Sequence, residues 1–114
     1  MAPSAARIQA VVDQALTQRL GLPARLAIER KKREGDWIFL CGKPQMPDGT
    51  GLDYSRTTLR GRQEAGTLDD YACALLNQRN NDVALKELTV GDTDAPFVDW
   101  PGRYGIPGSI LSAH

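Results

Sequence analysis

The sequence predicts an α+β domain: one N-terminal amphipathic helix packed on an antiparallel sheet of about four strands, followed by an ordered irregular C-terminal segment. Three observations carry this. A single stretch has helical apolar periodicity, the next two-thirds of the chain alternates β-forming runs with turn residues, and the last stretch mixes aromatics with prolines and glycines. At 114 residues the chain fits one domain spanning 1–114, large enough to bury a core without metals or several disulfides.

Between Ala5 and Leu20, the residues Ile8, Val11, Val12, Ala15, Leu16 and Leu20 recur at three- and four-residue steps. They form one apolar stripe, with Arg7, Gln9, Asp13, Gln14 and Gln18 on the opposite, solvated side. Ser4 is placed to cap the helix, Gly21 to stop it and Pro23 to prevent its continuation. Residues 25–30 then alternate with period two and lead into 31–36, a polar stretch read as a hairpin turn. Trp37-Ile38-Phe39-Leu40-Cys41 is a dense β-forming run, apolar on both faces, so this strand is expected in the centre of the sheet, ending at Pro44 and Pro47. A short helix is expected within Leu59 to Gly66, beginning near Thr57 or Thr58. Residues 71–76 and 83–90 flank an asparagine-rich stretch, 77–82, that suits positive-φ turn positions, and make the second hairpin.

Fourteen basic and fourteen acidic residues cancel, which removes a global field for nucleic acid or an anionic membrane. No apolar run approaches the roughly 18 residues of a membrane span. The only histidine, His114, is the last residue, where no rigid triad, zinc site or Cys-His pair can be built on it. No P-loop, dinucleotide fingerprint, G-x-S-x-G or H-E-x-x-H is present, and the sequence calls for no cofactor. Asp92 and Asp94, with Asp99, could in principle ligate a divalent cation, but turn hydrogen bonding is the favoured use and no metal site is assigned. Asp69 and Asp70 read as a solvated strand start. Cys41 and Cys73 fall on strands of the same sheet, where two buried free thiols are favoured over a cross-strand disulfide.

Two basic clusters, Arg30 to Arg33 in the expected turn and Arg56, Arg60 and Arg62 in the middle, lie beside acidic residues and lack interleaved aromatics, so nucleic acid ranks low as a partner. The segment from Asp92 to Gly108 excludes a regular helix or strand by its three prolines and three glycines, yet its rings argue for order. Phe97, Trp100, Arg103 and Tyr104, with Arg56 or Arg60 nearby, are the candidate contacts, because Trp, Tyr and Arg dominate interface hot spots. The commoner use of such a segment is to fold back as an aromatic clasp over the domain's own core, which leaves open whether Trp100, Arg103 and Tyr104 face this sheet or a partner.

The order of motifs resembles a family of small uncharacterised bacterial proteins, many of them exported: Gly35-Asp36-Trp37-Ile38-Phe39, Pro44 to Gly49, Asp53-Tyr54-Ser55-Arg56-Thr57, Cys73 to Leu76, and Asp92 to Pro107. The likeness covers most of the chain after the first helix, brings no activity or catalytic residues with it, and implies an exported life. The first residues show no signal peptide, which as written points to the cytoplasm, whereas small residues ahead of an amphipathic helix also suit a processed, periplasmic or secreted domain. One long helix on a curved antiparallel sheet is also similar to the cystatin and nuclear-transport-factor-like folds. The expected function is a non-enzymatic module that binds another protein, such as an exported inhibitor, immunity or accessory protein. The alternatives are a ligand or enzymatic pocket between helix and sheet, lined by Tyr54, Tyr71 and a carboxylate, and nucleic-acid binding through the basic clusters.

Overall fold

A computed structural model describes residues 4–80, 82–92 and 96–112. His114 and Asp94 lie outside the described residues. The helix α1 (Ser4–Leu20) buries Ile8, Val12, Leu16 and Leu20, the strict four-residue subset of the predicted stripe. Each such side chain contributes roughly 1.5–3 kcal/mol through removal of apolar surface from water. Gly21 ends the helix in the left-handed region, with its N–H donating to the Thr17 carbonyl at 2.9 Å.

Four antiparallel strands follow in the order β1-β2-β3-β4: β1 (Arg25–Glu34), β2 (Trp37–Gln45), β3 (Ala72–Arg79) and β4 (Asp82–Val90). The helix packs on one face and reaches both edge strands, β1 and β4. Beneath it lie Leu26, Ile38, Leu40, Ala72, Ala74, Leu76 and Val90. The polar side of α1 is not simply solvated, as expected for Gln9 and Asp13. The Asp13 carboxylate accepts from the Leu26 N–H at 2.8 Å, and Gln9 donates to Asp13 and to the Leu26 carbonyl, both at 2.8 Å. These bonds satisfy backbone groups at the start of an edge strand, which a sheet on one side alone leaves open.

Three local expectations need correction. Residues 30–33 are not in a turn: β1 runs through them to Glu34, and the turn is Gly35 and Asp36. A charged run suits a sheet edge, where it discourages further strand pairing. Pro44 does not end β2 but sits buried within it, opposite Leu26. Past Gly42, β2 has no partner in β3, and a missing donor is tolerated on an open flank. The second hairpin turn is also tighter than expected, because β3 and β4 extend to Arg79 and Asp82. Asn80 takes the positive φ, 57°, foreseen for the asparagine cluster.

The connection between the hairpins holds a 3-10 turn (Tyr54–Arg56) and the short helix α2 (Arg60–Glu64), close to the predicted position. It docks on the C-terminal end of α1, where Thr58 donates through its N–H to Leu20 and through its hydroxyl to Arg19. Arg62 ties it to the end of β4 by a 2.7 Å bond to Asp92, so that carboxylate is engaged by a guanidinium.

Candidate functional site

The second face of the sheet is covered by the C-terminal segment. Residues 96–99 form a 3-10 turn, α3 (Trp100–Tyr104) follows, and a further 3-10 turn runs over 108–112. The expectation that this composition excludes regular helix is therefore corrected for one turn. Pro101 falls in the first turn of α3, where its missing N–H is not needed, and Gly105 closes the helix with φ 67°.

Trp100, Ile106 and Ile110 bury themselves on Phe39, Cys41, Cys73 and Leu75. Phe39 meets Trp100 edge-on at 6.0 Å and Phe97 at 5.2 Å, which are favourable aromatic geometries. The segment is thus a clasp that makes a second core. Trp100 is only 2% exposed and cannot serve as a surface contact, which corrects its place among the candidate contacts. Phe97 and Tyr104 are half-buried against the sheet, and the outward residues of the loop are Val98, Asp99, Gly102 and Arg103. Arg56 and Arg60 are exposed on the segment docked to α1, on the helix side, so they do not join the clasp in one surface. Tyr71 packs in the clasp-side core, and its buried hydroxyl has no hydrogen-bond partner among the described residues. Tyr54 is buried and donates to Asp70 at 2.7 Å, with its phenol pushed well above the usual range by burial and by that carboxylate.

The preference for free thiols is also overturned. Cys41 and Cys73 stand directly opposite in the β2–β3 ladder, with Cα atoms 4.1 Å apart, and form a disulfide. Cross-strand neighbours on one face are the closest side-chain pairs in a sheet. The bond closes a separation of 32 residues, for which chain entropy gives a stabilisation of about 4 kcal/mol. Accordingly, Cys73→Ala is expected to lower the unfolding free energy by roughly 2–4 kcal/mol in urea, and adding reductant should then change the variant no further. A variant as stable as the oxidised parent would show that the bond does not constrain the chain.

At the polar end of the clasp, Glu87 of β4 accepts from the Tyr104 hydroxyl at 2.6 Å and from Arg103 at 2.8 Å. The Tyr104 bond and the Arg103 charge hold the Glu87 carboxyl below its ordinary value of 4.5. The same bond, with some burial, raises the Tyr104 phenol above 10.0. A lowered carboxylate contributes stability that is present above pH 4.5 and lost as pH falls through the folded value. The raised phenol contributes stability that is present below pH 10.0 and lost as pH rises through its folded value. The latch thus holds across the neutral range. Thermal midpoints measured against pH should fall more steeply below pH 4.5 for the parent than for Glu87→Gln, and parallel curves would remove Glu87 from the account.

Tyr104 also stacks against Trp37, with centroids 5.1 Å apart and planes tilted by 45°. Beside this pair opens a cleft of about 330 Å³, lined by Trp37, Asn77, Arg79, Lys86 and Tyr104. Of the candidate contacts only Tyr104 lines it. From the sequence, Trp37 reads as part of a strand apolar on both faces and residues 77 and 79 as part of a turn, whereas the structure puts Asn77 and Arg79 in β3; Lys86 carries no signal of its own. The cleft lies toward the hairpin end of β2, β3 and β4. Among the described residues no group of three His, Cys, Asp or Glu is arranged to hold a metal ion, and no helix is long and apolar enough to cross a membrane. Comparison of the chain with protein-family models, curated proteins and solved structures gave no match.

Proposed function

We propose that the protein is a non-enzymatic module that binds another protein, working as an exported inhibitor, immunity or accessory protein, with the cleft beside Tyr104 as its contact surface. One observation carries this reading. The clasp is latched by Glu87 so that Tyr104 is fixed against Trp37, and this rigid ring pair borders an open cleft with two cations and an amide. A surface held in place before binding loses little entropy on association. The side chains around the cleft supply donors and rings rather than paired carboxylates, which favours recognition over turnover. The Cys41–Cys73 disulfide supports an oxidising compartment, in line with the resemblance to exported bacterial proteins.

A photo-crosslinking amino acid placed at position 86, 56 or 60 in living cells tests this. Position 86 should give a discrete protein adduct that is lost when Trp37→Ala is added, while positions 56 and 60, on the helix side, should give none. Adducts at 56 or 60 alone, or at no position, would move the interface elsewhere or remove it.

A further inference from the structure

We infer that the cleft reads a carboxylate carried by a partner's peptide segment, next to an apolar side chain; this rests on the binding-module reading above. The register of the sheet assembles it. Trp37 stands opposite Asn77, and Asn77 opposite Ala84, whose methyl adds little bulk to that face. Between the pairs Leu75↔Glu87 and Leu76↔Leu85 the ladder slips, leaving Lys86 as an extra residue in β4. Such a bulge re-aims side chains, and Lys86 lines the cleft beside Arg79 and Tyr104.

Three of the donors there are uncommitted. The Lys86 ammonium, the Asn77 carboxamide and the Trp37 indole N–H make no hydrogen bond to the described residues. Glu87, the nearest acid in β4, is spent on Arg103 and Tyr104. Arg79 has a single partner among the described residues, Asp36 at 3.8 Å, and with both side chains more than half exposed that pair is weak and easily exchanged. A site offering a guanidinium, an ammonium and neutral N–H groups is complemented by an acceptor-only, negatively charged group. The Trp37–Tyr104 pair supplies the apolar wall, and about 330 Å³ holds one or two side chains rather than an extended ligand.

Charge around the cleft selects a lone carboxylate over a polyanion. Asp36 lies beside Arg79, and Asp82 is opposite it in the ladder, so a string of phosphates brought to the cleft meets these carboxylates. The Trp37 and Tyr104 planes are also tilted by 45° to each other, so they form no parallel pair of faces between which a base is sandwiched.

The test is an amide and indole NMR titration of the oxidised full chain with three end-capped peptides: one containing Glu-Leu pairs, its Gln-Leu twin and its Glu-Gly twin, with an oligouridine as a fourth probe. The Glu-Leu peptide should shift Trp37, Asn77 and Lys86 saturably, and both twins should bind about tenfold more weakly. Arg79→Gln and Lys86→Gln should each weaken the Glu-Leu peptide by roughly three- to tenfold, whereas Arg60→Gln should leave it unchanged. Equal binding of the Glu and Gln peptides, shifts centred away from the cleft, no binding at all, or tighter binding of oligouridine each overturn the inference. Crosslinking at position 86 is independent of the peptides, so a failure there separates loss of the binding-module reading from loss of the carboxylate.

Discussion

Trp100→Ala is expected to lower the unfolding free energy by about 3–5 kcal/mol, the range for removing a large ring from a packed interior. The ring is 2% exposed and packed edge-on against Phe39 and Phe97, and a space left among apolar walls offers water no hydrogen-bond partners. The cost depends on how far the site can collapse. Its floor is rigid, because Phe39 and Leu75 stand opposite one another in the β2–β3 ladder, two residues from the disulfide that joins those strands. Its roof is tied on one side by Glu87, so neither wall is free to close on the other. The effect should therefore fall toward the upper end. Urea unfolding followed by circular dichroism measures it, and a loss under about 1 kcal/mol would mean that the clasp is not part of the cooperative core. Arg103→Ala serves as the contrast, since that side chain is half exposed and should change stability far less.

How much of this was legible follows from which signals are local. The helix could be read because its apolar stripe is a property of sequential spacing, and the two hairpins because turn residues punctuate β-forming runs. Facing partners are different, since they depend on register. Cys41 and Cys73 form a bond because β2 and β3 align them residue against residue, and neither sequence neighbourhood alone specifies that alignment. Composition marked the C-terminal segment as ordered, yet Trp and Tyr serve both in cores and in interfaces, so the direction of Trp100 was not encoded in its type. The cleft was the least legible feature. Its residues come from β2, β3, β4 and α3, and Lys86 reaches it only through a bulge that no turn residue announces. No sequence signal marked it, because the pairing that puts Asn77 beside Trp37 is itself a matter of register, and residues 77–82 read as a turn.

Gly42→Ala is expected to cost at least about 3 kcal/mol, the upper end of overpacking, although it adds only a methyl group. A Cβ built on Gly42 would lie 2.1 Å from the Ala27 carbonyl oxygen and 2.9 Å from the Ile28 Cα, and both are backbone atoms that no rotamer change can move aside. The close approach follows from the β1 bulge: the ladder passes from Ile28↔Gly42 to Arg30↔Cys41, leaving Glu29 as the extra residue and pressing β1 against β2. Relief by moving β2 is blocked, because Cys41 next door is bonded to Cys73. Relief must come from β1, whose start is held under α1 by the burial of Leu26 and by the bonds from Asp13 and Gln9. Lifting β1 would surrender those bonds and part of the helix-side core together. Gly61→Ala separates this steric effect from a general intolerance of alanine: Gly61 is exposed inside α2, where an added Cβ meets nothing within 4 Å beyond its chain neighbours and its own helix backbone, and the substitution should stabilise by a few tenths to about 1 kcal/mol. Urea midpoints of the two variants should therefore move in opposite directions, and a Gly42→Ala protein within about 1 kcal/mol of the parent would show that β1 can withdraw from β2 without cost.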